Sequence, residues 1–148
     1  MIVYRIVAEK YADQLLASGR PGRWNYKDQF VIYTSESRSL TSLELLVNLS
    51  GIALYKKFKV LEIEIPDELD SIDIKDLPVS WRSLDFYPKT QMIGADWYLL
   101  LDQPILKVPS AVIPQEHNYI INTKHAAFSS VQIKAVEDYF WDSRLLSI

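Results

Sequence analysis

The 148 residues carry 16 Lys and Arg against 19 Asp and Glu, a net charge of −3, and 49% of them are hydrophobic. That is the balance of one globular domain able to bury about two-thirds of its unfolded surface. The absence of cysteine and the presence of two histidines, His117 and His125, exclude disulfide scaffolds, thiol nucleophiles and thiolate or histidine-rich metal sites.

Residues 2–7 are a β-branched run interrupted by Arg5 and predict a strand. Residues 10–17 predict a short helix, ended by the turn-formers of "SGRPGR" at 18–23. Residues 30–33 read as a compact apolar strand buried on both faces, and a leucine-rich helix follows with Ser35 or Ser37 as its N-cap. "FKVLEIEIP", residues 58–66, alternates like a strand with one wetter face, next to a local basic cluster of Lys56, Lys57 and Lys59. Residues 67–78 are acidic and loop-like with one short turn, and 90–101 predict a helix despite Gly94. Strand pieces at 105–108 and 111–113 are joined through "PS"; strands at 119–121 and 131–139 follow, and "FWDSRLL" closes the chain as a turn of helix. Short strands mixed with scattered helices indicate a single α+β domain over 1–148 rather than regular βαβ alternation. No apolar run approaches the roughly 18 residues of a membrane helix, and the early charges of "MIVYRIVAEK" do not suit a signal peptide. The expectation is a soluble, cytoplasmic protein, and its acidic balance argues against direct nucleic-acid binding.

Glu44 poses the sharpest question. At about 100° per residue, Leu43, Leu46 and Val47 form the main stripe of its helix, with Leu45 and Leu49 opposite. Such a helix is expected to be sandwiched in the interior, where a lone charge is costly. Either Glu44 reaches water or pairs with an arginine such as Arg5, or it lines a cleft with Arg23 and Tyr33 from the preceding loop and strand. Taken singly, Tyr33 reads as a core aromatic and Arg23 as a solvated loop residue.

The order of these features resembles the RES-domain family, toxins of bacterial toxin–antitoxin pairs. The likeness spans nearly the whole chain, through "VYRIV", "GRWN", "VIYTSES", the helix carrying Glu44, "VPSAVIP", "NYIINTKH" and "FWDSRLL". Arg23, Tyr33 and Glu44, ten and eleven residues apart, look like the family's active-site spacing, and Ser110 matches its serine. Thr123 and Ser143 stand where the family often carries proline; His125 reads as a structural hydrogen-bonding residue.

The resemblance implies a fold similar to that of ADP-ribosyltransferases, with two small sheets flanking an NAD cleft. It implies consumption of NAD at the nicotinamide–ribose bond, by phosphorolysis, hydrolysis or ADP-ribosyl transfer, without a metal. It also implies an Xre-type helix-turn-helix antitoxin whose carboxyl-terminal part blocks the cleft. On this reading Glu44 holds the ribose hydroxyls and stabilises the developing cation, and Arg23 forks onto the pyrophosphate. Tyr33 offers a ring face to nicotinamide, and Ser110 either donates to a substrate oxygen or caps its own turn. Asn25 and Ser35 are further NAD-binding candidates. The rivals are a ribonuclease toxin and a non-enzymatic binding module in which Glu44 and Arg23 form a structural pair.

Overall fold

Seven segments among the described residues are strands. They are β1 (Ile2–Ala8), β2 (Val31–Ser35), β3 (Phe58–Glu64), β4 (Leu69–Ser71), β5 (Ile105–Pro109), β6 (His117–Asn122) and β7 (Gln132–Tyr139). Some alternate, and others, such as β2 and β6, are apolar on both faces. Two α-helices among the described residues accompany them, α1 (Arg38–Asn48) and α2 (Tyr87–Leu100). The structure is a computed structural model describing residues 1–49 and 56–147. The architecture is the expected α+β domain.

The strands form one mixed sheet in the order β4-β5-β6-β2-β1-β3-β7. All neighbours run antiparallel except β4 and β5, which are parallel. The expected pair of small sheets is therefore one sheet, although a nearly divided one. β1 and β2 share a single rung, Tyr4 opposite Ser35, whereas β1 pairs with β3 along its whole length and β2 with β6 from Val31 to Ser35. Beyond that rung the two halves part.

Alternation separates the two faces of the sheet. One face carries a single apolar layer across both halves, including Val3, Ile32, Leu61, Ile63, Ile105, Tyr119 and Ile121. The other face carries two clusters. Trp24, Val31, Trp81, Trp97, Leu106, Val108 and Ile120 pack on one half beneath α2, and Ile6, Phe58 and Val60 pack with Leu45 and Leu49 on the other. The divided face is where the site lies. Trp81 and Trp97 are core, and Trp141 packs edge-on against Phe58 and Tyr139.

Several elements depart from expectation. Residues 10–17 do not form a helix; a 3-10 turn at Glu9–Tyr11 gives way to irregular chain. Ala12, Leu15 and Ala17 pack against the continuous apolar layer; spacings of three and two do not make a helical stripe, and so short a helix is marginal on its own. Residues 111–113 are a turn rather than a strand, because the Val112 and Ile113 N–H groups donate to Ser110 Oγ instead of to a ladder. Part of the acidic segment pairs as β4, followed by a 3-10 turn at Ile74–Asp76 capped by Asp73. Helix α1 begins at the N-cap Ser37, whose hydroxyl accepts from the Leu40 N–H, but it is not sandwiched. Leu40 and Thr41 are its buried residues, and Val47 of the expected stripe is 61% exposed. Lys59 of the lysine cluster is paired with Asp138 and Glu9.

Candidate active site

Arg23 sits at the tip of a two-residue turn closed by Gly22 and Asn25, whose backbone groups bond reciprocally at 3.2 and 3.4 Å. This turn is held from three sides. From β2, the Tyr33 hydroxyl donates to Asn25 Oδ1 at 2.6 Å and accepts from the Trp24 N–H at 3.1 Å. Glycine is required at 22, since a Cβ there would meet the Tyr33 hydroxyl at 2.6 Å. From α2, Gln91 Nε2 donates to the Asn25 carbonyl, and Gly94 abuts the loop so closely that a Cβ would lie 1.7 Å from the Trp24 oxygen. The third hold is Asn25 itself, fully buried, whose amide donates to the Arg20 and Tyr26 carbonyls at 2.9 and 3.0 Å. The Arg23 guanidinium lies over the Tyr87 and Trp81 rings, 5.3 and 5.8 Å from their centroids.

Glu44 is built into a hydrogen-bond chain. Its Oε1 accepts from Ser110 Oγ at 2.7 Å and from Asn118 Nδ2 at 2.6 Å. Asn118 Oδ1 in turn accepts from Ser35 Oγ at 2.8 Å. Ser35 and Asn118 are direct register partners on β2 and β6, which explains how two residues far apart in sequence meet beside one carboxylate. Ser110 satisfies both readings of it: it accepts from two N–H groups of its turn and spends its hydrogen on Glu44. Neither an Arg5 nor an Arg23 pair with Glu44 occurs among the described residues.

Between these two assemblies the parted sheet opens a cleft of about 800 Å³, within the usual range for small-molecule sites. Arg23, Tyr33, Ser35 and Glu44 all line it, as do Asn118, Thr41, Asn48 and Tyr87. Thus α1 turns a polar strip of Thr41, Glu44 and Asn48 to the cleft. Asn25 and Ser110 stand just behind the wall, holding residues that line it.

Four guanidinia, those of Arg5, Arg20, Arg23 and Arg82, surround one carboxylate among the described lining residues. Whole-chain charge hid this local excess. Arg5 entered the sequence argument merely as a possible partner for Glu44; instead its Nη1 donates to the Tyr33 carbonyl at 3.1 Å, across the gap between the half-sheets. Burial pulls its pKa below the ordinary value, though a guanidinium remains charged. Arg82 is pinned at the mouth by its Nε donating to the Ala111 carbonyl at 2.7 Å. Burial pushes the Tyr33 phenol well above the ordinary tyrosine value, with the Trp24 N–H and Arg23 opposing it. It is a neutral donor at physiological pH. His125 caps a 3-10 turn by accepting from the Ala127 N–H, the structural role expected of it. Among the described residues no group of three or more His, Cys, Asp or Glu is placed to hold a metal. No helix there is long and apolar enough to cross a membrane.

Comparison with known proteins matches residues 2–142 to the RES domain. The chain belongs to the RES domain family. Among its relatives, this RES domain is 37% identical over 142 residues to Toxin Res of Yersinia enterocolitica, covering 89% of this chain and 93% of the relative. It is 31% identical over 142 residues to the Prs ADP-ribosylating toxin of Sphingobium sp., covering 91% and 88%. A solved structure of similar fold is the M. tuberculosis MbcT–MbcA toxin–antitoxin complex, with a TM-score of 0.76 at 16% identity over 93% of this chain and 83% of that one.

Proposed function

We propose that this RES domain, spanning 1–148, is the cytoplasmic toxin of a toxin–antitoxin pair and consumes NAD by cleaving its nicotinamide–ribose bond. The observation that carries the reading is Glu44. Its carboxylate is held by two donors on the wall of a cleft otherwise rich in guanidinium groups. The names of the toxin relatives support it.

Nicotinamide leaves as a neutral ring: the C1′–N bond breaks with its electron pair passing to the ring nitrogen, cancelling the positive charge there. No strong general acid is needed, unlike ordinary glycoside cleavage. What the ribosyl centre needs is negative charge beside it, and Glu44 supplies it while accepting from ribose hydroxyls. Arg23 grips the pyrophosphate with its fork, assisted by Arg5. The Tyr33 ring packs against nicotinamide, while its hydroxyl, with Asn25, keeps the Arg23 turn in place. Ser110 and Ser35 act behind Glu44. An acceptor of phosphate, water or a protein side chain forms the new bond to C1′, losing its proton where it has one. No metal takes part.

The partner is an Xre-type helix-turn-helix antitoxin whose carboxyl-terminal segment covers the cleft. Exposed apolar side chains at Val79 and Leu84, either side of Arg82 in sequence, offer it purchase. The cleft arginines are also the one feature that favours a ribonuclease. However, no histidine and no second carboxylate lines the cleft among the described residues, so the usual acid–base pair for phosphodiester cleavage is missing.

Incubating the purified protein with NAD, with and without phosphate, and in parallel with RNA, tests the reading. Expected are free nicotinamide and an ADP-ribosyl product, with RNA intact. Glu44→Gln should keep the fold and lower NAD loss by about 100-fold or more. Parental turnover by that variant would overturn the assignment.

A further inference from the structure

Both donors to Glu44 land on the same oxygen. Ser110 Oγ and Asn118 Nδ2 approach Oε1, while Oε2 accepts no hydrogen bond among the described residues. Each donor is also fixed in sense. The lone pairs of Ser110 Oγ receive the Val112 and Ile113 N–H groups, each at 3.0 Å, so its one hydrogen goes to Glu44. The Asn118 amide could face either way by itself. The acceptor-only carboxylate decides it by drawing Nδ2 toward Glu44, and the Ser35 hydroxyl holds the amide there by donating to Oδ1. Ser35 is 3% exposed and lies directly opposite Asn118 in the β2–β6 register, so this hold is carried by the sheet itself.

Building on the NAD-cleaving reading, we propose that Asn118, held in place by Ser35, is a positioning residue that immobilises Glu44 through Oε1. Oε2 is then the oxygen that meets the ribose in the transition state. Carboxylates rotate readily about their terminal torsion, and a negative oxygen displaced by an ångström loses much of its effect on a developing cation. Asn118 acts on the chemical step and contributes little to ground-state binding of the dinucleotide.

The test compares steady-state NAD consumption and thermal unfolding for the parental chain, Asn118→Asp, Asn118→Ala and Ser35→Ala. Asn118→Asp is nearly isosteric and still accepts the Ser35 hydroxyl, but it replaces the donor to Oε1 with a negative oxygen. A second carboxylate beside Glu44 repels it, so a purely structural role predicts a lower unfolding temperature with kcat falling only in step with it. Positioning predicts kcat reduced about 100-fold for Asp and about 10-fold for Ala in protein that remains folded. KM for NAD should stay within about threefold in both. Ser35→Ala, which does not touch Glu44, should lower kcat about threefold to tenfold by releasing the amide; it carries the test if Asn118→Asp does not fold. Asp outperforming Ala, or parental kcat in Ser35→Ala, would overturn the positioning role. A parental protein that leaves NAD intact would instead remove the reading beneath it.

Discussion

Arg23 and Tyr33 illustrate how much one side chain depends on another in this site. The guanidinium lies over two aromatic rings on a turn that the Tyr33 hydroxyl closes, so its fork arrives with little freedom left to lose. Arg23→Lys keeps the charge, loses the planar fork, and should raise KM for NAD about tenfold with a smaller effect on kcat. Equilibrium NAD binding unchanged in that variant would remove Arg23 from the substrate's grip. Tyr33 has a further consequence at high pH. Its pKa is raised by burial from the ordinary tyrosine value of 10.0, so the unfolded chain loses that proton before the folded one does. Tyr33's contribution is therefore intact below about pH 10 and is lost as pH rises through the alkaline range. Denaturant midpoints measured from about pH 9 to 11 should fall more shallowly in Tyr33→Phe than in the parental chain. Arg23, Tyr33 and Glu44 were legible as candidates through the likeness of their spacing to the RES family's, since each by itself reads as an ordinary structural or solvated residue. Ser110 was named through the same likeness, but its bond to Glu44 was not foreseen and Asn118 was missed altogether: the two lie 66 and 74 residues away, and the pairing that delivers them is decided by the whole sheet.

Among the elements, strands were the most legible, because alternation is written locally: β1, β3 and β7 fall within a residue or two of expectation. The Ser37 cap was legible for the same reason. Helix α1 was misread in orientation rather than existence. The face it turns inward is polar at Thr41, Glu44 and Asn48, and an apolar-stripe argument cannot find an inward face that serves a cleft. Ser110 hid the turn at 111–113 by capturing two N–H groups that a strand would have used. Helix α2 shows the opposite situation, a local weakness that serves packing. Gly94 lowers helix propensity, yet any side chain there would collide with the Trp24 carbonyl. Gly94→Ala should thus destabilise the fold by about 1–3 kcal/mol through overpacking, despite alanine's better propensity. It should also raise KM for NAD by pushing on the turn that carries Arg23. Thermal unfolding with NAD kinetics checks both; a stabilised variant would mean that α2 and the turn are not in contact.

At the level of the molecule, the sheet has two outer strands and manages them differently. β4 is three residues long, too short to template another chain. β7 is longer, but it pairs with β3 through an irregularity at Glu62 and Ile63, and its exposed residues include Lys134, Glu137 and Asp138. Bulges and charges of this kind discourage edge-to-edge association. The net charge of −3 surrounds a cleft of opposite sign, an arrangement invisible to composition because the four arginines come from β1, the Arg23 loop and the segment before α2. The single rung between Tyr4 and Ser35 has a consequence for motion. In most sheets the central strands are the last to trade their amide hydrogens for deuterium, since ladders protect them on both sides. Here the seam runs through the middle, so inward-facing amides of β1 and β2 beyond the rung should exchange early, ahead of those locked between β1 and β3. Mass spectrometry of labelled peptides would reveal that inverted order, and a dinucleotide lodged across the seam should slow it.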